Sequence, residues 1–187
     1  MTTPQFTLQE LQLPDEHDAL VGFLTSNHFP FHMRPNPSRE SVEERIKDGD
    51  FVLPVAETFW IKDANANTIG IVLYEDLEDL PEGSPVFDLR LDESVRGQGL
   101  GTAILRAVTD EAFRRYPTIT RFEGQTREDN IAMRRVFLRS GFLKEAHYRQ
   151  GWPVENGEPL ASVAYAMLRQ DWESGKTTTF VWEDISL

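Results

Sequence analysis

The stretch that decides the fold of this chain is Leu91-Asp92-Glu93-Ser94-Val95-Arg96-Gly97-Gln98-Gly99-Leu100-Gly101-Thr102. It follows a predicted strand, Val86 to Asp92, and it leads into apolar residues that share one helix face: Leu100, Ile104, Ala107, Val108 and Ala112. Glycine lets a ligand approach the backbone closely, and a helix N-terminus presents free N–H groups. The turn therefore favours an anion site, and the alternative is a tight connection between strand and helix.

Two nucleotide-binding motifs do not fit this turn. A dinucleotide fingerprint has its third glycine one residue later, and a P-loop has a Lys-Ser or Lys-Thr pair after its glycines. Both kinds of nucleotide site are therefore disfavoured.

The segments on either side of this turn predict a mixed α/β protein. Before it, hydrophobic periodicity predicts strands over 6–13, 57–62 and 68–75, helices over 15–26 and 38–47, and an irregular proline-rich loop over 27–37. After it come a strand over 119–126, a helix over 131–140 that ends at Gly141, and strands over 142–148 and 162–168. No repeat or low-complexity linker interrupts the order, so a single domain over 1–187 is expected.

A second block supports a family resemblance. Arg96, Gly99 and Gly101 fill the fixed places of the acetyl-CoA turn of the GNAT superfamily, and Asn130 to Phe142 resembles its Asn-x-Ala…Gly-Phe helix. With Arg121-Phe122-Glu123 before it, this block is most similar to the ribosomal-protein alanine N-acetyltransferase branch. The resemblance implies a largely antiparallel sheet of six to seven strands, splayed at its centre and flanked by about four helices.

The resemblance also implies where acetyl-CoA is held. The N–H groups of Gly97, Gln98, Gly99, Leu100, Gly101 and Thr102 would hold the pyrophosphate, and Arg96 would neutralise a phosphate unless it only caps the loop. The Leu91 N–H would stabilise the oxyanion of the reaction. Asn130 would contact the pantetheine arm, and its alternative role is a helix cap.

The acid and base of the reaction are less clearly marked. Many relatives carry a helix Tyr as general acid where this chain has Phe137, which leaves Tyr148, Tyr165 or water. Glu123 is the preferred base, either directly or through water, and its alternative role is a structural ion pair. Asp88 and Glu75 are less favoured bases.

The acceptor is an amine that the sequence does not identify. Phe29, Phe31 and His32 on the proline-rich loop are the predicted substrate contacts, and the two phenylalanines either line a lid or fix the loop to the core. We expect direct acetyl transfer to a small-molecule amine or a peptide N-terminus. The absent helix Tyr keeps a non-catalytic acetyl-CoA sensor as the alternative.

Composition excludes several other classes of function. The 187 residues carry a net charge of -12, which repels nucleic acid and anionic membranes, and the absence of cysteine removes disulfides and any acyl-cysteine route. The four histidines lack metal-ligand spacing, so no metal is expected. With neither a signal-like N-terminus nor an apolar run long enough to span a bilayer, a cytoplasmic protein is expected, and a homodimer is one option for its assembly.

Overall fold

The computed structural model describes residues 6–80, 84–155 and 157–182. The expected domain over 1–187 also includes residues 1–5, 81–83, 156 and 183–187, which lie outside the described residues. The strands are β1 (Thr7–Glu10), β2 (Ala56–Lys62), β3 (Thr68–Glu75), β4 (Val86–Leu91), β5 (Arg121–Arg127), β6 (Leu143–Trp152) and β7 (Leu160–Leu168). The helices are α1 (His17–Ser26), α2 (Arg39–Asp48), α3 (Gly101–Arg115), α4 (Ile131–Ser140) and α5 (Arg169–Ser174).

The strands form one sheet in the order β1-β2-β3-β4-β5-β7-β6. All neighbouring pairs are antiparallel except β4 and β5, which are parallel because helix α3 connects them. The expected mixed, largely antiparallel GNAT-like sheet is therefore confirmed.

Two apolar clusters cover the two faces of this sheet. The side chains of β3 contribute alternately to the two clusters. Val72 and Tyr74 pack in the cluster that contains residues of α3 and α4. Ile71 and Leu73 pack in the other cluster, which contains α1 and α2. Because side chains alternate across a strand, β3 is buried on both faces and reads as a continuous apolar run.

Local signals placed the helix ends well. The Ser38 side chain accepts a hydrogen bond from the Ser41 N–H at 3.1 Å and caps α2, and Gly141 ends α4 with a φ of 95°. The short helix α5 was missed because six residues are too few for a helical period to be recognised.

Candidate active site

The central strands separate soon after they begin. β4 and β5 pair only at Val86 and Glu123, where the Glu123 N–H donates to the Pro85 carbonyl at 3.2 Å. On the other edge of β4, the Asp92 N–H donates to the Ile69 carbonyl at 3.0 Å. Because N–H and C=O groups alternate in direction along a strand, these two bonds orient the Leu89 and Leu91 N–H groups toward the gap between β4 and β5. The predicted Leu91 donor thus faces the gap, and Leu89 is a second donor that the sequence did not indicate.

The glycine turn leaves a row of amides without acceptors. Gly97 and Gly99 have φ values of 73° and 80°, which only glycine adopts at low cost. In the described part of the chain, none of the seven amides from Gly97 to Ala103 donates to a backbone or side-chain acceptor, and the ladder begins with the Ile104 N–H. The last four of these donors belong to the N-terminus of a 15-residue helix, an arrangement that favours an anion. Binding of the coenzyme pyrophosphate at this turn stays a prediction.

The Arg96 side chain connects this turn to the end of β4 and to the proline-rich loop by hydrogen bonds. Its Nε and Nη2 donate to the Leu91 carbonyl at 2.9 and 2.7 Å, and its Nη1 donates to the His28 carbonyl at 2.5 Å. The guanidinium also lies 5.3 Å from the centre of the Phe29 ring. A role of Arg96 toward phosphate stays a prediction.

The N-terminus of α4 lies on the other side of the gap. The Asn130 Oδ1 accepts from the Met133 N–H at 3.2 Å, and its Nδ2 donates to the Thr126 hydroxyl at 3.0 Å. Asn130 is therefore the cap of α4, one of the two roles considered for it, and it also lines the cleft described next. Contact with the pantetheine arm stays a prediction.

A cleft of about 740 Å³ runs from this gap to the space beneath α1 and α2. Phe31 and His32 line it together with α2 side chains and β4 residues, and their contact with substrate stays a prediction. Phe29 instead packs in the core with 2% of its surface exposed, so it fixes the loop to the sheet. Gln125, Thr126 and Trp152 are lining residues that the sequence did not indicate, because nothing local distinguishes them from other strand residues.

Asp88 organises the charged floor of the cleft. Its Oδ1 lies 3.0 Å from the His32 Nε2, and its Oδ2 accepts from the Arg90 Nε and Nη2 at 3.0 and 2.7 Å. Burial alone would raise the pKa of Asp88, but Arg90 and His32 outweigh burial and hold the pKa well below its usual range. Asp88 is therefore an anion that orients His32 and Arg90.

Glu123, the predicted base, lies in an ion-pair network on β5. Its Oε2 accepts from the Arg121 Nη2 at 2.9 Å, and its Oε1 accepts from the Gln125 Nε2 at 3.1 Å. The same Arg121 nitrogen donates to the Glu145 Oε2 at 2.6 Å. These contacts match the structural ion pair considered for Glu123, and its catalytic role stays a prediction.

The residues considered as general acid differ in environment. Phe137 is fully buried and stacks on Tyr165, with ring centres 4.6 Å apart and planes 2° apart. The Tyr165 hydroxyl accepts from the Arg134 Nε at 3.1 Å. Tyr148 is 53% exposed on the edge strand β6. None of these three residues lines the cleft as the described residues define it.

Two further features bear on the class of protein. The described residues contain no group of three or more His, Asp or Glu side chains arranged to hold a metal ion. Over the same residues, no helix has both the length and the apolar character that crossing a bilayer requires.

Comparisons with known proteins agree with this geometry. The family described as "Acetyltransferase (GNAT) domain" matches residues 6–143. The spermidine N-acetyltransferase from Vibrio cholerae, solved with CoA and spermine, has a TM-score of 0.76 at 18% identity and covers 90% of this chain and 98% of its own. The spermidine/spermine N-acetyltransferase SpeG from Vibrio cholerae, solved with manganese ions, has a TM-score of 0.72 at 17% identity and covers 91% of this chain and 96% of its own. These two likenesses concern the fold. Because the family match spans well over half of the sequence, this chain belongs to the GNAT acetyltransferase family and is an acyltransferase.

Proposed function

We propose that this protein transfers the acetyl group of acetyl-CoA directly to a primary amine on a cationic acceptor. The observation that carries the proposal is the row of unpaired amides from Gly97 to Ala103, which opens beside the gap between β4 and β5. The pyrophosphate of the coenzyme fits this row because its negative charge is stabilised by many hydrogen-bond donors. These amides are available to it, since they have no acceptor within the described part of the protein.

The chain offers separate places for the other parts of the cosubstrate. The gap between β4 and β5 would take the pantetheine arm, with Asn130 and Met133 on its α4 side. Acetyl-CoA supplies an acyl carbon activated as a thioester. The Leu89 and Leu91 N–H groups would stabilise negative charge on the acyl oxygen, and one such donor typically contributes about 3 kcal/mol to transition-state stabilisation.

The charges in the cleft favour a cationic acceptor. Five acidic residues and three arginines line it, and two of the arginines are already paired, Arg45 with Asp50 and Arg90 with Asp88. The acidic lining residues that remain are Glu44, Asp48 and Glu75, with Arg34 as the remaining arginine. This excess of negative charge would attract an acceptor that carries more than one amine.

Small polyamines are therefore the first acceptors to test. The similar Vibrio cholerae enzymes are spermidine N-acetyltransferases by name, and one of them was solved with spermine. A peptide N-terminus, which the resemblance to the ribosomal-protein alanine N-acetyltransferases suggests, is the second candidate acceptor. A cleft of about 740 Å³, lined in part by Phe31 and His32 of the loop, suits a small extended amine better than a folded protein surface.

A free-thiol release assay tests the proposal. Acetyl-CoA is incubated with the protein and a panel of polyamines, aminoglycosides, amino acids and N-terminal peptides. We expect thiol release that depends on a polyamine and needs no added metal. Coenzyme binding without release for any amine would favour the non-catalytic sensor, and the absence of coenzyme binding would refute both functions. A homodimer also stays a proposal, which sedimentation equilibrium can test.

A further inference from the structure

We infer that Glu75, the last residue of β3, receives the proton that the acceptor ammonium must lose before it attacks. The inference rests on the proposed function and adds a catalytic residue to it. It depends on where Glu75 lies, on the contacts that its carboxylate lacks, and on the partners that occupy the other carboxylates nearby.

The sheet register places two carboxylates on either side of one cleft residue. Glu75 of β3 and Glu123 of β5 are both directly opposite Val86 of β4. Directly opposite residues point to the same face of a sheet, and strands lie about 4.8 Å apart. Both carboxylates therefore lie on the α1 and α2 face, where the gap begins, and Glu75 lines the cleft.

Glu75 differs from Glu123 and Asp88, the other two carboxylates considered as the base, because its own carboxylate has no partner among the described residues. Within the described residues it accepts no hydrogen bond and forms no ion pair within 4.0 Å, although most of its surface is covered. Glu123 is held by Arg121 and Gln125, and Asp88 is held by Arg90 and His32. A carboxylate without a fixed partner can exchange a proton without breaking an ion pair.

The electrostatic environment suits a base that works near neutral pH. Burial, followed by the charge of Asp88, raises the pKa of Glu75 from 4.5 to about 7. Asp76 acts in the same direction, whereas Arg45 and Arg90 oppose it. The other charged or titratable groups that line the cleft from α2 and the neighbouring loops are Arg34, Glu44, Asp48, Asp50 and His32. A base is most effective when its pKa lies near the operating pH.

The transfer step balances with Glu75 in this role. The ammonium gives one proton to the Glu75 carboxylate, and the freed lone pair forms the C–N bond to the acyl carbon. The C–S bond breaks as nitrogen loses its second proton to solvent. The departing sulfur takes a proton from water, so an acetamide, a free thiol and one net proton are produced. Glu75 then returns its proton to solvent.

The test compares pH profiles of kcat/KM for the wild type, Glu75→Gln, Glu75→Asp and Glu123→Gln, with the best polyamine as acceptor. Glu40→Gln is the control, because it removes the same charge from an exposed position on α2 outside the cleft. Binding of coenzyme A is measured for each protein by calorimetry.

We expect the wild-type rate to rise with pH and level off above about 7, the pKa of Glu75. Glu75→Gln should lower kcat by about 10²-fold or more without weakening coenzyme binding, as for loss of a general base. Its rate should keep rising toward the pKa of the amine itself, about 10.4 for a lysine-like amine. Glu75→Asp should recover part of the rate and the levelling-off.

Three outcomes would overturn the inference. If Glu75→Gln keeps the wild-type profile and only raises KM, Glu75 binds the acceptor and is not the base. If Glu123→Gln loses the inflection and Glu75→Gln keeps it, the base is Glu123. If the wild type releases no thiol with any amine, the proposed function fails and this inference fails with it, whereas the first two outcomes leave the proposed function standing.

Discussion

A charged side chain at Gly99 should separate the effect of backbone strain from the effect of charge in the coenzyme turn. Gly99 has a φ of 80°, and no atom lies within 4 Å of the position that its Cβ would take. Substitution therefore creates no clash. Holding a non-glycine residue in this left-handed conformation costs about 1–2 kcal/mol. This cost is common to Gly99→Ala, Gly99→Gln and Gly99→Glu.

The charge of Gly99→Glu adds a second effect, which acts on coenzyme binding. A carboxylate roughly 5 Å from one phosphate charge, at an effective dielectric between about 20 and 80, raises the free energy of the complex by about 1–3 kcal/mol. Gly99→Glu should therefore bind coenzyme A about 5- to 150-fold more weakly than Gly99→Gln, at 1.36 kcal/mol for each tenfold change. Salt should reduce the difference, since ions screen exposed charges.

Titration calorimetry with coenzyme A at low and high ionic strength measures these affinities. Gly175 offers a matched control, because it ends α5 with a φ of 67° and also has open space around its Cβ position. Gly175→Glu and Gly175→Gln should change thermal stability alike and leave coenzyme affinity unchanged. Equal affinities of folded Gly99→Glu and Gly99→Gln at low salt would refute the pyrophosphate site at this turn.

Two further predictions concern the core and the pH dependence of stability. Phe137→Leu removes the stack on Tyr165, so the free energy of unfolding should fall by about 1–2 kcal/mol. The kcat of the folded protein should stay within about threefold of the wild-type value. A hundredfold loss of kcat at unchanged affinities would show that Phe137 acts in the reaction. The pKa of Glu75 is raised from 4.5 to about 7 in the folded state. Between pH 4.5 and about 7 the folded protein therefore binds more protons than the unfolded chain, so the free energy of unfolding falls as pH rises through this range. In thermal melts, Glu75→Gln should therefore gain stability over the wild type at pH 8, with little gain at pH 4, and an equal gain at both would refute the raised pKa.

Much of the fold was predictable because its signals are local. The glycine turn before α3, the Ser38 cap of α2 and the Gly141 end of α4 each depend on residues within one turn of a helix. Alternation and helical periodicity identified the strands and the four longer helices. The family resemblance implied a mixed, largely antiparallel sheet that is splayed at its centre. The structure identified β4 and β5 as the parallel pair, because the sequence of a strand does not reveal its partner.

Part of the candidate site could also be read from the sequence. The amides from Leu100 to Ala103 are unpaired because the first four N–H groups of any helix have no partner within the helix. The amides of Gly97, Gln98 and Gly99 precede the helix, and the structure shows that they too have no acceptor among the described residues. Of the three loop residues predicted to contact the substrate, Phe31 and His32 line the cleft, whereas Phe29 is in the core. A loop without periodicity does not reveal which of its side chains turns inward.

The sequence by itself determined that this chain has a strand, a glycine turn and a helix that can hold an anion, and it named three carboxylates as bases. Only the tertiary structure decided which carboxylates have partners. The His32 contact to Asp88 joins residues 56 positions apart, and the Arg96 contact to the His28 carbonyl joins residues 68 positions apart. Such pairings depend on sheet register, which brings Glu75 and Glu123 to opposite sides of Val86. Because a proton affinity is set by burial and by charges within a few ångströms, it follows from these distant contacts and not from the neighbours of a residue in the chain.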